Sequence, residues 1–308
     1  MKTIQIEGLD KPVSQLIQGA DFFKHNVYDK VCSVLDNFFA IGGNTIDTAY
    51  IYCGGESEET IGRWMKDRNN REQVVILTKG AHHNADGPRV NPEAIASDLA
   101  VSLERLGTDY VDLYALHRDD TNVPVSVIID ALNEHIRTGT IRAIGGSNWT
   151  HTRLQEANDY AAANGLVGFT FSSPNLSLAK PNEPRWAGCV SADEEAIAWH
   201  EKSRLPILSW SSQAGGFFTG RFAPDIQDNK EMVRVYYSDA NWERLRRAEQ
   251  LAKEKGVSTV QISLAYVLNQ AFPTAALIGA QNEAELESCR EGAQITLTPE
   301  EVKWLEQV

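Results

Sequence analysis

The sequence predicts an α/β chain folded as a single (β/α)8 TIM barrel, with a short N-terminal hairpin and a C-terminal helix. Three observations lead there. Short β-branched apolar runs alternate, eight times over, with longer stretches of 3.6-residue periodicity. The alternation runs through all 308 residues without a Pro/Ser-rich linker or a shift in composition. Parallel strands in that number close most naturally on themselves. A doubly wound open sheet is the rival architecture, but it would place a Gly-x-Gly-x-x-Gly turn after the first strand, where this chain has Gly19-Ala20-Asp21-Phe22.

Local signals justify each element in turn. Alternation from Thr3 to Glu7 suggests a hairpin strand within residues 1–12. Residues 14–20 form the first barrel strand, and residues 28–41 a helix closed by Gly42 and Gly43. The second strand covers 44–48; the helix after it covers 57–68, with Ser57 as its candidate N-cap. The run VVILT over 74–78 is β-branched enough for burial on both faces, and Asn91-Pro92 opens a helix through Leu106 with a capping Asn and a first-turn Pro. Strands follow over 110–116, 141–146, 168–171, 206–210 and 275–278. The accompanying helices cover 124–138, 150–164, 192–203, 239–255 with 259–269, and 282–292; Thr298-Pro299 starts a last one.

Charge narrows the function. With 29 Lys and Arg against 42 Asp and Glu the formal charge is −13, and no basic run offsets it, which argues against a nucleic-acid surface. Neither a signal peptide nor an apolar run of membrane-spanning length is present, so a cytoplasmic protein without a membrane partner is expected. Cys32, Cys53, Cys189 and Cys289 lie far apart without ligand spacing and read as free thiols. His82-His83 with Asp86 lacks a third ligand at fixed spacing, and neighbouring histidines in an extended loop are expected to point apart, so no metal is assigned.

In a barrel of this kind chemistry collects at the C-terminal ends of the strands. Asp47 and Tyr52 follow the second strand, Lys79 the third, His117 the fourth, Ser147-Asn148 the fifth and Trp210-Ser211 the seventh. A carboxylate, a phenol, an ammonium and an imidazole at one mouth form a proton-transfer set: a phenol is a weak acid until a neighbouring cation favours its phenolate, and Lys79 could be that cation. Phe22, Phe23, Trp149 and Trp186 fall in loops at the same face, where aromatic walls would shape a substrate pocket. The polar run after His117 (Arg118, Asp119, Asp120, Thr121, Asn122), with Asn175, suggests polyhydroxylated carbonyls such as sugars or inososes.

The motif Asp47-Thr48-Ala49-Tyr50-Ile51-Tyr52-Cys53-Gly54-Gly55-Glu56 resembles the signature of the aldo-keto reductases. Leu77-Thr78-Lys79, Tyr110-Val111-Asp112-Leu113-Tyr114 leading to His117-Arg118, and Ile144-Gly145-Gly146-Ser147-Asn148 resemble the family's later motifs in the same order, across essentially the whole chain.

The resemblance implies an NAD(P)H-dependent reduction of aldehydes or ketones by hydride transfer, with a small-molecule carbonyl substrate and with Asp47, Tyr52, Lys79 and His117 as tetrad. Tyr52 would be the general acid, and Phe22, Tyr52, His117 and Trp149 would meet the substrate. Ser147 and Asn148 would hold the carboxamide and Trp210 would stack on the nicotinamide. Ala20, Asp47 and Ser172 would complete that end. Ser211, Gln213, Gly215 and Gly216 would pass over the diphosphate, and Gly279, Ala280, Gln281 and Glu285 would meet the adenosine.

Departures from the family pattern are specific. Ser172 and Asn175 stand where Gln and Tyr are common, Trp210 where Tyr is usual, and Ser212 and Gln213 where Pro and Leu are usual. Gln281 replaces a frequent Arg or Lys, which keeps NADP(H) first but NAD(H) usable, and Cys289 replaces a frequent Asn. Beside the reductase, two classes stay open: a cofactor-binding sensor or accessory subunit with little turnover, and a cofactor-free sugar-binding or isomerase barrel.

Overall fold

The computed structural model describes residues 1–308. Eight parallel strands close into a barrel: β3 (Leu16–Gly19), β4 (Thr45–Asp47), β5 (Val75–Gly80), β6 (Val111–Leu116), β7 (Ile141–Ser147), β8 (Phe171–Ser173), β9 (Ile207–Ser209) and β10 (Thr274–Ile278). Each pairs with the next in the chain, and β10 returns to β3 with Ala276 opposite Leu16 and Ile278 opposite Gln18. Two short strands precede the barrel, β1 (Thr3–Ile4) and β2 (Val13–Ser14), paired antiparallel. This is the expected hairpin, and it takes Ser14 from the expected first barrel strand, which begins at Leu16.

Helices α1 (Tyr28–Ala40), α2 (Glu56–Arg68), α3 (Pro92–Leu106), α4 (Val125–Arg137), α5 (His151–Asn164) and α6 (Glu194–Ser203) follow the first six barrel strands. After β9 come α7 (Lys230–Tyr236), α8 (Asp239–Lys255) and α9 (Thr259–Leu268); α10 (Glu283–Gly292) and α11 (Pro299–Glu306) end the chain. Asn91 caps α3 through a 2.8 Å bond from Ala94 N, and Thr298 with Glu301 makes a capping box on α11. Ser57 is not the cap of α2. That helix starts one residue earlier, and the Ser57 hydroxyl bonds Ala20 O and Thr48 Oγ1, both at 2.8 Å, tying two strand ends together. The sixth strand lies later than expected, at Phe171–Ser173, because only there does the chain reach β7 and β9.

Two apolar layers follow from this order. Inside the barrel Ile17, Val75, Leu77, Leu113, Phe171 and Leu208 pack together, and Ile6 and Val13 from the hairpin extend that cluster. Outside it, apolar helix faces cover the strands, which explains strands buried on both faces and the unbroken VVILT run. No helix is long and apolar enough to cross a membrane.

Gly62 lets α2 approach the C-terminal end of α3 closely. A Cβ there would lie 2.5 Å from Arg105 O and 2.8 Å from Leu106 C, both backbone atoms of or beside α3. Gly62→Ala is therefore expected to destabilise the fold by about 1–3 kcal/mol through overpacking, read as a lower denaturant midpoint at unchanged slope.

Candidate active site

A cavity of about 1060 Å³ opens at the C-terminal ends of the strands. Its floor holds the four expected polar side chains. The Lys79 ammonium lies 2.5 Å from Asp47 Oδ1, donates to Thr48 O at 2.8 Å and reaches the Tyr52 hydroxyl at 3.3 Å. The His117 and Tyr52 rings stand nearly perpendicular with centroids 5.7 Å apart.

The loop that presents Tyr52 is held from both sides. Immediately after it the backbone turns through left-handed values at Cys53, Gly54 and Gly55. Gly55 combines φ +106° with a Cβ position only 2.5 Å from Arg105 Cζ, so a larger residue would meet both strain and a clash. Arg105 donates to Tyr50 O at 2.8 Å and pairs with the fully buried Glu58 at 3.2 Å; Glu58 also accepts a 2.6 Å bond from Thr78. A charge so buried is tolerated only when paired and hydrogen-bonded, and both conditions lock the loop to β5 and α3.

Burial sets the proton chemistry. It pushes the Tyr52 phenol up to about 12, with Lys79 pulling the other way. Thus the cation moderates the phenol without carrying it below its ordinary value, the net direction being opposite to the sequence expectation. Burial also pushes Asp47 up and pulls Lys79 down, but for Lys79 the nearby Asp47 and then Tyr52 outweigh burial and the net is upward. The 2.5 Å contact identifies an ion pair. His117 is driven well below its ordinary value, first by burial and then by Lys79 and Arg118, so the imidazole is neutral. Its Nδ1 is buried without a hydrogen-bond partner.

Of the remaining expected residues, Ala20, Ser147, Asn148, Trp210, Ser211 and Gln213 line the cavity, as do Gly215, Gly216, Gly279, Ala280, Gln281 and Glu285. Three do not. Trp149 is buried beneath the mouth, donating through Nε1 to Arg118 O at 3.1 Å and packing on Phe169; Phe22 packs edge-on against Phe23; Ser172 is enclosed between β7 and β9. Asn148 reaches the cavity with all its hydrogen-bonding positions taken. Its Nδ2 donates to His117 O and Ser147 Oγ, while Oδ1 accepts from Val190 N and Trp210 Nε1.

Beyond Arg118, the polar run after His117 turns away. Asp119 pairs with Arg153, Asp120 accepts from Asn122 and Asn175 bonds Trp210 O, and none of Asp119, Asp120, Asn122 and Asn175 lines the cavity where a polyhydroxylated substrate would need them. The His82 and His83 rings do not point apart: their centroids are 4.1 Å from each other, and His82 is 4.8 Å from His117.

Two residues here escaped the sequence reading. Arg221 lines the cavity, where a Cβ on Gly216 would collide with it at 2.5 Å. Lys30, from α1, donates to Gln281 Oε1 at 3.0 Å from the far end of the chain. For Arg221 the signal was the run of glycines ending at Gly220; for Lys30 there was none.

The cavity fits a dinucleotide. Ser211, Ala214, Gly215 and Gly216 carry left-handed backbone, the conformation of anion-binding nests, and the Arg221 cation stands beside them without an ion-pair partner. Trp210 supplies an aromatic wall to the same cavity.

A strand-end Asp–Lys–Tyr–His constellation beside a dinucleotide cradle defines a nicotinamide-dependent oxidoreductase. Residues 16–308 match the Aldo/keto reductase family, and the chain belongs to it. It is 29% identical over 283 residues to norsolorinic acid reductase B of Aspergillus parasiticus, covering 89% of this chain and 73% of that one. A probable aryl-alcohol dehydrogenase of Saccharomyces cerevisiae is 27% identical over 297 residues, covering 91% and 88%. The structure of a glycerol dehydrogenase from Gluconobacter oxydans superposes with a TM-score of 0.80 at 23% identity, covering 99% of this chain and 94% of that one. The protein is an NAD(P)H-dependent carbonyl oxidoreductase.

The geometry makes the Lys79 contribution measurable. Below a phenol pKa of about 12 the ionised fraction of Tyr52 rises about tenfold per pH unit, so alcohol oxidation, which needs the phenolate, should rise with pH while carbonyl reduction stays flat. Lys79→Met removes the opposing cation and is expected to move the alkaline limb of oxidation to still higher pH. An unmoved limb in pH–rate profiles would show that the ammonium does not act on the phenol.

Proposed function

We propose that the whole chain works as one barrel domain that reduces an aldehyde or ketone to the alcohol, with Tyr52 as proton donor. The observation that carries this reading is the Tyr52 hydroxyl 3.3 Å from Lys79, itself paired with Asp47 on the cavity floor. Reduced nicotinamide, when bound, supplies the hydride to the carbonyl carbon. Tyr52 is protonated at neutral pH because burial holds its phenol high, and it gives that proton to the carbonyl oxygen as negative charge develops there. Lys79 stabilises the phenolate left behind, and Asp47 keeps the ammonium charged and oriented. Neutral His117 offers an N–H to the same oxygen and fixes the carbonyl against Tyr52.

The cavity lining supports a course for the coenzyme. Trp210 would meet the nicotinamide face and Ser147 its carboxamide. Asn148 acts as a positioning residue, since its bonds already join Trp210, Ser147 and His117. Residues 211–216 with Arg221 would hold the diphosphate. At the adenosine end the charges are mixed: Lys30 lies against Gln281, while Glu285 accepts from Gln281 N at 2.9 Å. That balance supports NADP(H) with NAD(H) usable. The four unpaired cysteines support a cytoplasmic setting, where thiols stay reduced.

Tyr52→Phe removes the proton donor and leaves the coenzyme cradle intact. Turnover of aldehydes with consumption of reduced cofactor should fall by at least ~10²-fold, while quenching of protein fluorescence by the cofactor persists. A variant reducing aldehydes near the parent rate would refute the role of Tyr52. For the coenzyme, Gln281→Arg should raise the NADPH over NADH ratio of kcat/KM by roughly tenfold, as one added charge-assisted bond predicts. A native ratio already above about a thousandfold would contradict the mixed-charge reading.

A further inference from the structure

The cavity wall beyond His117 holds a cation that the reduction chemistry above does not use. Arg118 lines the cavity together with His82, His83, Trp186, Ala187 and Cys189. Its Nη1 donates to His117 O at 2.8 Å and its Nε to Ala187 O at 3.3 Å. The backbone is pinned as well, since Trp149 donates to Arg118 O, and the 186–189 loop closes over the side-chain stem: a Cβ on Gly188 would sit 3.2 Å from Arg118 Cδ. The guanidinium is thus held in place by neutral carbonyls.

Arg221, at the glycine turn of the same cavity, is likewise unpaired, but five other partly buried arginines around the barrel meet carboxylates. Arg71 pairs with Asp112, Arg89 with Asp98, Arg105 with Glu58, Arg153 with Asp119 and Arg185 with Glu231. Even the acidic neighbour one residue on, Asp119, is committed to Arg153. Arg118 has no carboxylate within ion-pair distance and lines the cavity beside the carbonyl site. A half-buried guanidinium fixed by its Nε and Nη1, with Nη2 uncommitted, suits an oxyanion of a ligand better than a neutral hydroxyl.

We propose that Arg118 is a specificity-determining residue and that the substrates preferred by this enzyme carry a carboxylate on the same molecule as the reducible carbonyl. The inference rests on the reductase reading of the Tyr52 site. Carboxylate binding to Arg118 places the anionic end of the substrate against β6 and its carbonyl between His117 and Tyr52. The Trp186 face supplies the apolar wall between the two ends. Neutral carbonyl compounds reach the same floor without this anchor.

The test compares 3- and 4-formylbenzoate with the corresponding formylbenzamides, which match them in size and carbonyl reactivity but carry no charge. The parent enzyme should favour the better carboxylate over its amide by about 10- to 100-fold in kcat/KM, expressed mainly in KM. Arg118→Gln should bring that ratio close to one, and Arg118→Lys should restore part of it. Should Arg118→Gln fail to fold, inhibition of the parent enzyme by terephthalate against terephthalamide carries the same decision: the dianion should bind at least about tenfold more tightly. Turnover of both aldehyde classes without discrimination, or a ratio unchanged by Arg118→Gln, overturns the proposal and leaves the reductase reading standing. Absence of turnover of every aldehyde with coenzyme bound overturns both.

Discussion

The buried ion pair between Lys79 and Asp47 is the constraint around which the rest of the mouth is arranged. Two charges almost fully removed from water cost several kcal/mol unless they meet at short range with their remaining bonding positions filled. Here the partners come from neighbouring strands β5 and β4, so barrel closure itself brings them together. Thr48 O takes a further ammonium proton, and the Tyr52 hydroxyl is the remaining neighbour at 3.3 Å. The phenol's position is thereby dictated by a requirement of folding as well as by chemistry.

Buried polar contacts around the pair make that arrangement rigid. Glu58, Arg105 and Thr78 fasten the Tyr52 loop from the α2 side, while Ser57 joins the ends of β3 and β4. Across the mouth, Asn148 joins residues after β6, β7 and β9 to the 186–190 loop through one side chain. Sites of this type need groups held within a fraction of an ångström, and these buried polar contacts supply precision that loops alone would not.

Much of this was legible in the sequence, and what was not has a common cause. Strand runs such as VVILT announce themselves because a parallel barrel strand is apolar on both faces. The positions of Asp47, Lys79, Tyr52 and His117 were legible because strand ends in a barrel all open on one face. Side-chain direction in the loops was not. Trp149 turned inward to serve Arg118, Asp119 found Arg153, and His83 folded back onto His82, each decided by a neighbour that sequence distance conceals. The same holds for Lys30 at Gln281 and for the short helix α7, which has too few residues to declare a period. The sense of the Tyr52 shift was misjudged because burial, which only the closed fold reveals, outweighs the nearby cation.

The seam between β10 and β3 joins Ala276 to Leu16, almost the full length of the chain apart. During synthesis the first strand must therefore wait, with an unpaired edge and half a barrel interior uncovered, until the last strand has left the ribosome. Contacts this distant in sequence are slow to form, and open parallel edges are where nascent chains adhere to one another. The hairpin of β1 and β2, which precedes the barrel strands in the chain, contributes apolar side chains to that interior, giving the growing sheet an early partner within its own chain. Pairing of β10 with both β9 and β3 is what leaves the sheet without an edge, so a chain ending before Thr274 would present two unpaired strand edges at once.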